Sequence, residues 1–190
     1  MTAPKSTAFI DVFHADRPAA DRADKMGLYA FLIGSWDTDV VTYEENGPSH
    51  RGRGEIHAGW VLEGRAIQDV WMIPPRPERR ADAPLLPVAG NWYGTTLRLY
   101  DPRLDAWHIL WSDPAMQNYV RQIARARGND VVQEGRIALV ENGELRNGPL
   151  LRWSFTDIAP RSFHWRGEVS PDDGAIWRLQ VEIFARRVAA

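Results

Sequence analysis

Asp69 and Asp113 are the residues of this chain best suited to move a proton. A carboxylate becomes a useful general base when it is held close to its substrate in surroundings that exclude water. In the segment 65–73, Asp69 alternates with Ile67 and Trp71. If that face points inward, the carboxylate stands beside Trp71 and desolvation favours its protonated form. If instead Ala66, Gln68, Val70 and Met72 point inward, Asp69 is outward and paired with an arginine. This plainer alternative is the expectation. Asp113 follows the aromatic segment 106–112 and starts a turn more readily than it performs chemistry, which makes it the second acid–base candidate.

Most other site chemistry is excluded by what the chain lacks. There is no cysteine, so thiol catalysis, zinc–thiolate sites and disulfides are ruled out. The histidines, His14, His50, His57, His108 and His164, form no H-x-H or H-E-x-x-H spacing. His57, His108 and His164 alternate with polar residues, the pattern of a solvated face, and no metal site is expected. G-x-S-x-G, P-loop and G-x-G-x-x-G motifs do not occur. A net charge of -2 gives no broad attraction for nucleic acid or anionic membranes. The opening residues carry no apolar signal-peptide stretch, and no run is long enough to span a bilayer; a cytoplasmic protein is expected.

Nine tryptophans are the unusual feature. Core filling is the default explanation, but a buried indole N–H also needs a partner. Their positions say more. Near the C-terminus, Trp153, Phe155, Phe163, Trp165, Trp177, Leu179, Val181 and Ile183 share one set of faces. Arg152, Ser154, Thr156, His164, Arg166, Glu168, Arg178, Gln180 and Glu182 share the other. A period of two with one wet side marks half-buried strands. Trp107, Ile109 and Trp111 form a similar inward face. In the segment 118–127 the arginines Arg121, Arg125 and Arg127 take the outer face, leaving Asn118, Val120, Gln122, Ala124 and Ala126 inward; Gln133 faces in from the next segment. Small or polar inward residues opposite large aromatics are expected to leave a cavity. Gln122 and Gln133 would then need partners inside it.

These side chains must be positioned by strands. Residues 21–33 read as a short amphipathic helix ended by Gly34. Beyond it, alternating segments at 33–43, 50–61, 65–73, 91–100, 106–112, 118–127, 131–140, 145–158, 162–170 and 175–187 are separated by turn residues such as Asn142-Gly143. About ten strands with short connections predict a closed antiparallel up-and-down barrel, because closure removes exposed edges. Residues 1–20 are expected to be a loose lead-in and 21–190 one domain. The long segment 74–90 is expected to cover the mouth, and its Leu85, Leu86 and Val88 suggest a homodimer.

Gly34-Ser35-Trp36, directly after the helix and opening the first strand, resembles the G-x-W signature of lipocalins and calycins. Leu62-Glu63-Gly64-Arg65, Tyr100-Asp101-Pro102, Trp107 and Trp111-Ser112-Asp113 extend the likeness to a bacterial family of lipocalin-like barrels, over about residues 27–187. The resemblance implies that Trp36 closes one end of the barrel beneath an arginine of the last strand. Arg178, Arg186 and Arg187 are the candidates. Among such barrels, nitrobindin binds haem through one histidine near its C-terminus. The nearest counterpart here, His164, falls on the wet face, so no cofactor is expected.

The expected function is binding of a small apolar or aromatic molecule. Trp71, Trp107, Trp111, Trp153, Trp165 and Trp177 would wall it, and Asn118, Gln122 and Gln133 would orient it. The alternative is a metal-free isomerase, cyclase or lyase on the same barrel, using Asp69 or Asp113 as acid or base.

Overall fold

Turn residues cut the alternating stretches into strands close to the expected places. The computed structural model describes residues 8–80 and 91–189. A short helix α1 (Phe9–Phe13) leads into a two-residue strand β1 (His14–Ala15), and α2 (Ala23–Met26) follows. The long strands are β2 (Gly34–Tyr43), β3 (Ser49–Val61), β4 (Ala66–Ile73), β5 (Trp92–Asp101), β6 (Ala106–Asp113), β7 (Asn118–Arg127), β8 (Asp130–Glu141), β9 (Glu144–Ala159), β10 (Ser162–Ser170) and β11 (Arg178–Arg187). From β2 onward each is antiparallel to the next, and β11 returns to pair with β2. The ten long strands therefore form a closed up-and-down barrel. No helix among the described residues is long and apolar enough to cross a membrane.

The segment expected as one helix over 21–33 is instead three short windings: a 3-10 turn at Ala20–Arg22, then α2, then a 3-10 helix at Gly27–Leu32. Met26, Tyr29 and Leu32 are fully buried. Their spacing of three is the 3-10 repeat, in which side chains at i and i+3 eclipse. This face plugs one end of the barrel. Tyr29 meets Trp107 at 5.0 Å between ring centroids, and Phe31 meets Phe163 at 5.7 Å. Trp36 Nε1 donates to Leu32 O at 2.8 Å.

Of the three candidate arginines, Arg187 covers Trp36, its guanidinium carbon 4.1 Å from the ring centroid. It also donates to Ile33 O and Phe31 O, each at 2.6 Å, and to Pro160 O at 2.9 Å. Gly34 is glycine for two reasons. Its φ is +119°, and a Cβ there would stand 2.6 Å from Arg187 Nη1. The G-x-W motif is thus a fitted joint between plug, first strand and last strand. The lead-in is held from His14 onward: His14 pairs with Val61, and Ala19 N donates to Gly64 O at 3.0 Å.

Two expectations about side-chain direction need correction. Asp69 is not outward. Ile67, Asp69 and Trp71 all face in, and Asp69 is completely buried. Its arginine partner exists, but it too is inside the barrel. Trp177 does not face in. The last strand begins at Arg178 rather than 175, and Trp177 lies outside it under the guanidinium of Arg152, 4.0 Å from the ring centroid. The register between β10 and β11 also shifts, so that Gly167 pairs with Val181 but Glu168 with Leu179. Gln180 is the extra residue of this bulge, and the simple alternation fails there.

After β4 the chain runs back along β3, where Arg76 Nε donates to Glu55 at 2.7 Å, and Arg79 Nη1 donates to Trp92 O at 2.6 Å. The rest of the expected cover, 81–90, with Leu85, Leu86 and Val88, lies outside the described residues.

Candidate functional site

At the end of the barrel opposite the plug, five inward indoles stand in a row across the interior. Trp71 on β4 is 5.5 Å from Trp165 on β10, Trp165 is 5.6 Å from Trp153 on β9, Trp153 is 6.1 Å from Trp111 on β6, and Trp111 is 6.4 Å from Trp92 on β5, measured between ring centroids. The rings are tilted or edge-on to one another, as the aromatic quadrupole prefers. Two glycines make room for them. A Cβ on Gly94 would fall 2.3 Å from the Trp111 ring, and one on Gly167 2.8 Å from the Trp165 ring. Together these residues enclose a cavity of about 620 Å³, with Ile137, Leu151, Val169 and Val181 completing its walls.

The floor of the cavity is a buried polar layer lying between it and the plug. Arg98 and Asp69 are 2% and 0% exposed. Arg98 Nε and Nη2 reach Asp69 Oδ2 at 2.9 and 2.7 Å, and the other carboxylate oxygen accepts from Thr96 N at 3.1 Å. Arg98 Nη1 donates to Gln133 Oε1 at 2.7 Å, which also accepts from the Tyr29 hydroxyl at 3.1 Å. Gln122 Nε2 donates to the backbone oxygen of Gln133 at 3.4 Å. Burial pushes the Tyr29 hydroxyl above its ordinary range, so it serves as a neutral donor. The Arg98 guanidinium lies 4.8 Å from the Tyr29 ring centroid, a cation–π contact that ties the plug to the floor.

At the rim, Asp113 lines the cavity but is held by the backbone. Its Oδ1 accepts from Ala115 N and Met116 N at 2.9 and 3.0 Å, and its Oδ2 from Tyr93 N at 3.2 Å. Asn118, paired with Asp113 across β6 and β7, lines the rim beside it.

Two solved structures share this architecture. Rv2717c from M. tuberculosis superposes with a TM-score of 0.62 at 12% identity, covering 90% of this chain and 99% of that one. The S-type phycobiliprotein lyase CPES from Guillardia theta superposes with a TM-score of 0.53 at 8% identity, covering 91% of this chain and 99% of that one. The fold is lipocalin-like. At these identities the likeness concerns the fold alone. No protein-family model matches the sequence, and no curated protein matches it.

The lipocalin-like barrel brings Trp71, Trp111, Trp153, Trp165, Asn118 and Asp113 to one cavity. It places Gln122 and Gln133 deeper, in the polar layer, and Asp69 behind Arg98 rather than on the cavity wall. Trp107 is deeper still, against Tyr29. Trp177 is outside. Among the described residues no histidine lines the cavity. His164 is on the outer wall, stacked on Phe184 at 4.4 Å between ring centroids and 3.0 Å from Glu182 Oε1. The wall residues therefore do not fit a haem held by His164.

Arg98, Trp92 and Gln180 were not visible as site residues in the sequence. On β5 the alternation points the wrong way: Thr96 and Arg98 are buried while Leu97 and Leu99 remain partly exposed. The one available signal was the buried-or-paired ambiguity of Asp69, whose strand neighbour Ile67 is paired with Arg98.

Proposed function

We propose that the protein binds one small, largely apolar or aromatic molecule inside the barrel. The observation that carries this is the row of five indoles around a cavity of about 620 Å³, a size within the ordinary range for small-molecule sites, roughly 300–1,000 Å³. The walls supply flat apolar contact, and the few convergent polar groups sit at the floor and the rim.

The acid–base alternative draws on the same cavity. Both candidate carboxylates are already engaged, Asp69 by Arg98 and Thr96 N, and Asp113 by three backbone N–H groups. That commitment favours binding over turnover. The test is native mass spectrometry of the purified protein, followed by calorimetric titration with 2-ethylnaphthalene. A retained molecule, or a single binding site lost in Trp153→Ala, is expected. A protein that retains nothing and binds no flat apolar probe would sink the proposal.

A further inference from the structure

Resting on that reading, we infer that the cavity takes a neutral molecule whose inner polar group is a carbonyl oxygen, and that it discriminates against carboxylates. The first argument is an excess of donors at the floor. A guanidinium carries five N–H groups. Two of those on Arg98 serve Asp69 and one serves Gln133, which leaves two. Trp71 is 4% exposed, lines the cavity, and its Nε1 has no hydrogen-bond partner among the described residues. The acceptors of Asp69 and Gln133 are occupied: Asp69 Oδ2 and Gln133 Oε1 each accept twice, and Asp69 Oδ1 takes the Thr96 N–H. Gln122 Oε1 and Gln133 Nε2 have no partner among the described residues, but neither residue lines the cavity. A buried N–H without an acceptor is costly, and an oxygen acceptor on the occupant relieves that cost.

The second argument is charge. Arg98 already faces Asp69 at 2.7 Å inside the barrel, so the floor offers donors without a free positive charge. Among the described residues, Asp113 is the other ionisable residue on the wall, and it is acidic. A carboxylate placed there would add negative charge in a region of low dielectric with no unpaired cation to meet it. A ketone or related carbonyl accepts the same hydrogen bonds without that penalty, and the indole walls suit a flat ring attached to it.

The experiment compares three probes on one ring system, 2-ethylnaphthalene, 2-acetylnaphthalene and 2-naphthoate, by calorimetric titration of the full chain at pH 7. The ketone is expected to bind about tenfold more tightly than the hydrocarbon, and the carboxylate more weakly than either. Trp71→Phe keeps a ring but removes the N–H; it is expected to shrink the advantage of the ketone and leave hydrocarbon binding nearly unchanged. Asp69→Asn keeps the shape but frees the charge of Arg98, and is expected to turn the preference toward 2-naphthoate. The wild-type series and Trp71→Phe decide the matter even where Asp69→Asn does not fold. Equal binding of hydrocarbon and ketone, or a wild-type preference for the carboxylate, overturns the inference while the cavity remains a binding site. Failure of all three probes to bind overturns both.

Discussion

A single side chain, Arg187, joins three parts of the molecule: it stacks on Trp36 and donates to carbonyls of the plug, of its C-terminal boundary, and of the β9–β10 turn. Hydrogen bonds from a charged donor contribute more than neutral ones, and the carbonyls left behind would be only partly hydrated. Arg187→Met is therefore expected to lower the unfolding free energy by about 3 kcal/mol in urea titration. Arg187→Lys should recover little of this, because one ammonium cannot span three carbonyls and cover an indole. Glu55 gives a second residue-scale prediction. Burial alone would raise its carboxyl, but hydrogen bonds from the Arg76 side chain and backbone N–H, and from His57, outweigh burial and lower it to about 2. A group lowered in the folded state contributes stability that is complete above its unfolded value, 4.5, and lost as pH falls through about 2. Glu55→Gln should be less stable than wild type at neutral pH. The two unfolding curves should converge as the pH is taken from 4.5 to 2.

At the level of the strand, the fit of large rings against absent side chains sets the shape of the cavity. On β5, Gly94 leaves the space that the Trp111 ring fills, with its backbone paired to Trp71 of β4. Gly94→Ala should cost about 1–3 kcal/mol by overpacking and weaken probe binding by pushing Trp111 into the cavity. Gly59→Ala on β3 is the matched control, since nothing stands within 4 Å of its Cβ position; denaturation and titration of the pair separate ring displacement from a general strand effect. The strands themselves were legible in the sequence because turn residues and two-residue alternation mark them directly. Trp107, Trp111, Trp153 and Trp165 followed from the same period, which left the direction of Trp71 open, did not single out Trp92 and turned Trp177 the wrong way. Legibility stopped where a neighbour overrides the local pattern. Gln180 is turned inward by a bulge that depends on the register of β10. Arg98 is buried because Asp69, on another strand, supplies its counter-charge. Over 21–33 the winding differs in kind from the expected helix, since a spacing of three in Met26, Tyr29 and Leu32 fits a tighter winding than the α-helix.

Across the whole molecule, one non-local seam closes the ring: β11 returns to β2, bringing Glu182 to Tyr43 across 139 positions of sequence, with 2.6 Å between carboxylate and hydroxyl. Every other barrel pairing joins sequence neighbours. Ending the chain before Arg178 would expose the edges of β2 and β10 and remove Arg187 with them. Such open edges template association between chains. The truncated chain is expected to elute as aggregate in size-exclusion chromatography and to lose the dispersed amide spectrum of the intact barrel. The row of indoles that walls the cavity has a photophysical consequence of its own. With each ring so near the next, an electronic excitation absorbed by one is expected to pass to its neighbours before a photon leaves. Fluorescence anisotropy should then show depolarised emission, and an occupant able to accept that energy from any one ring should darken the whole row together.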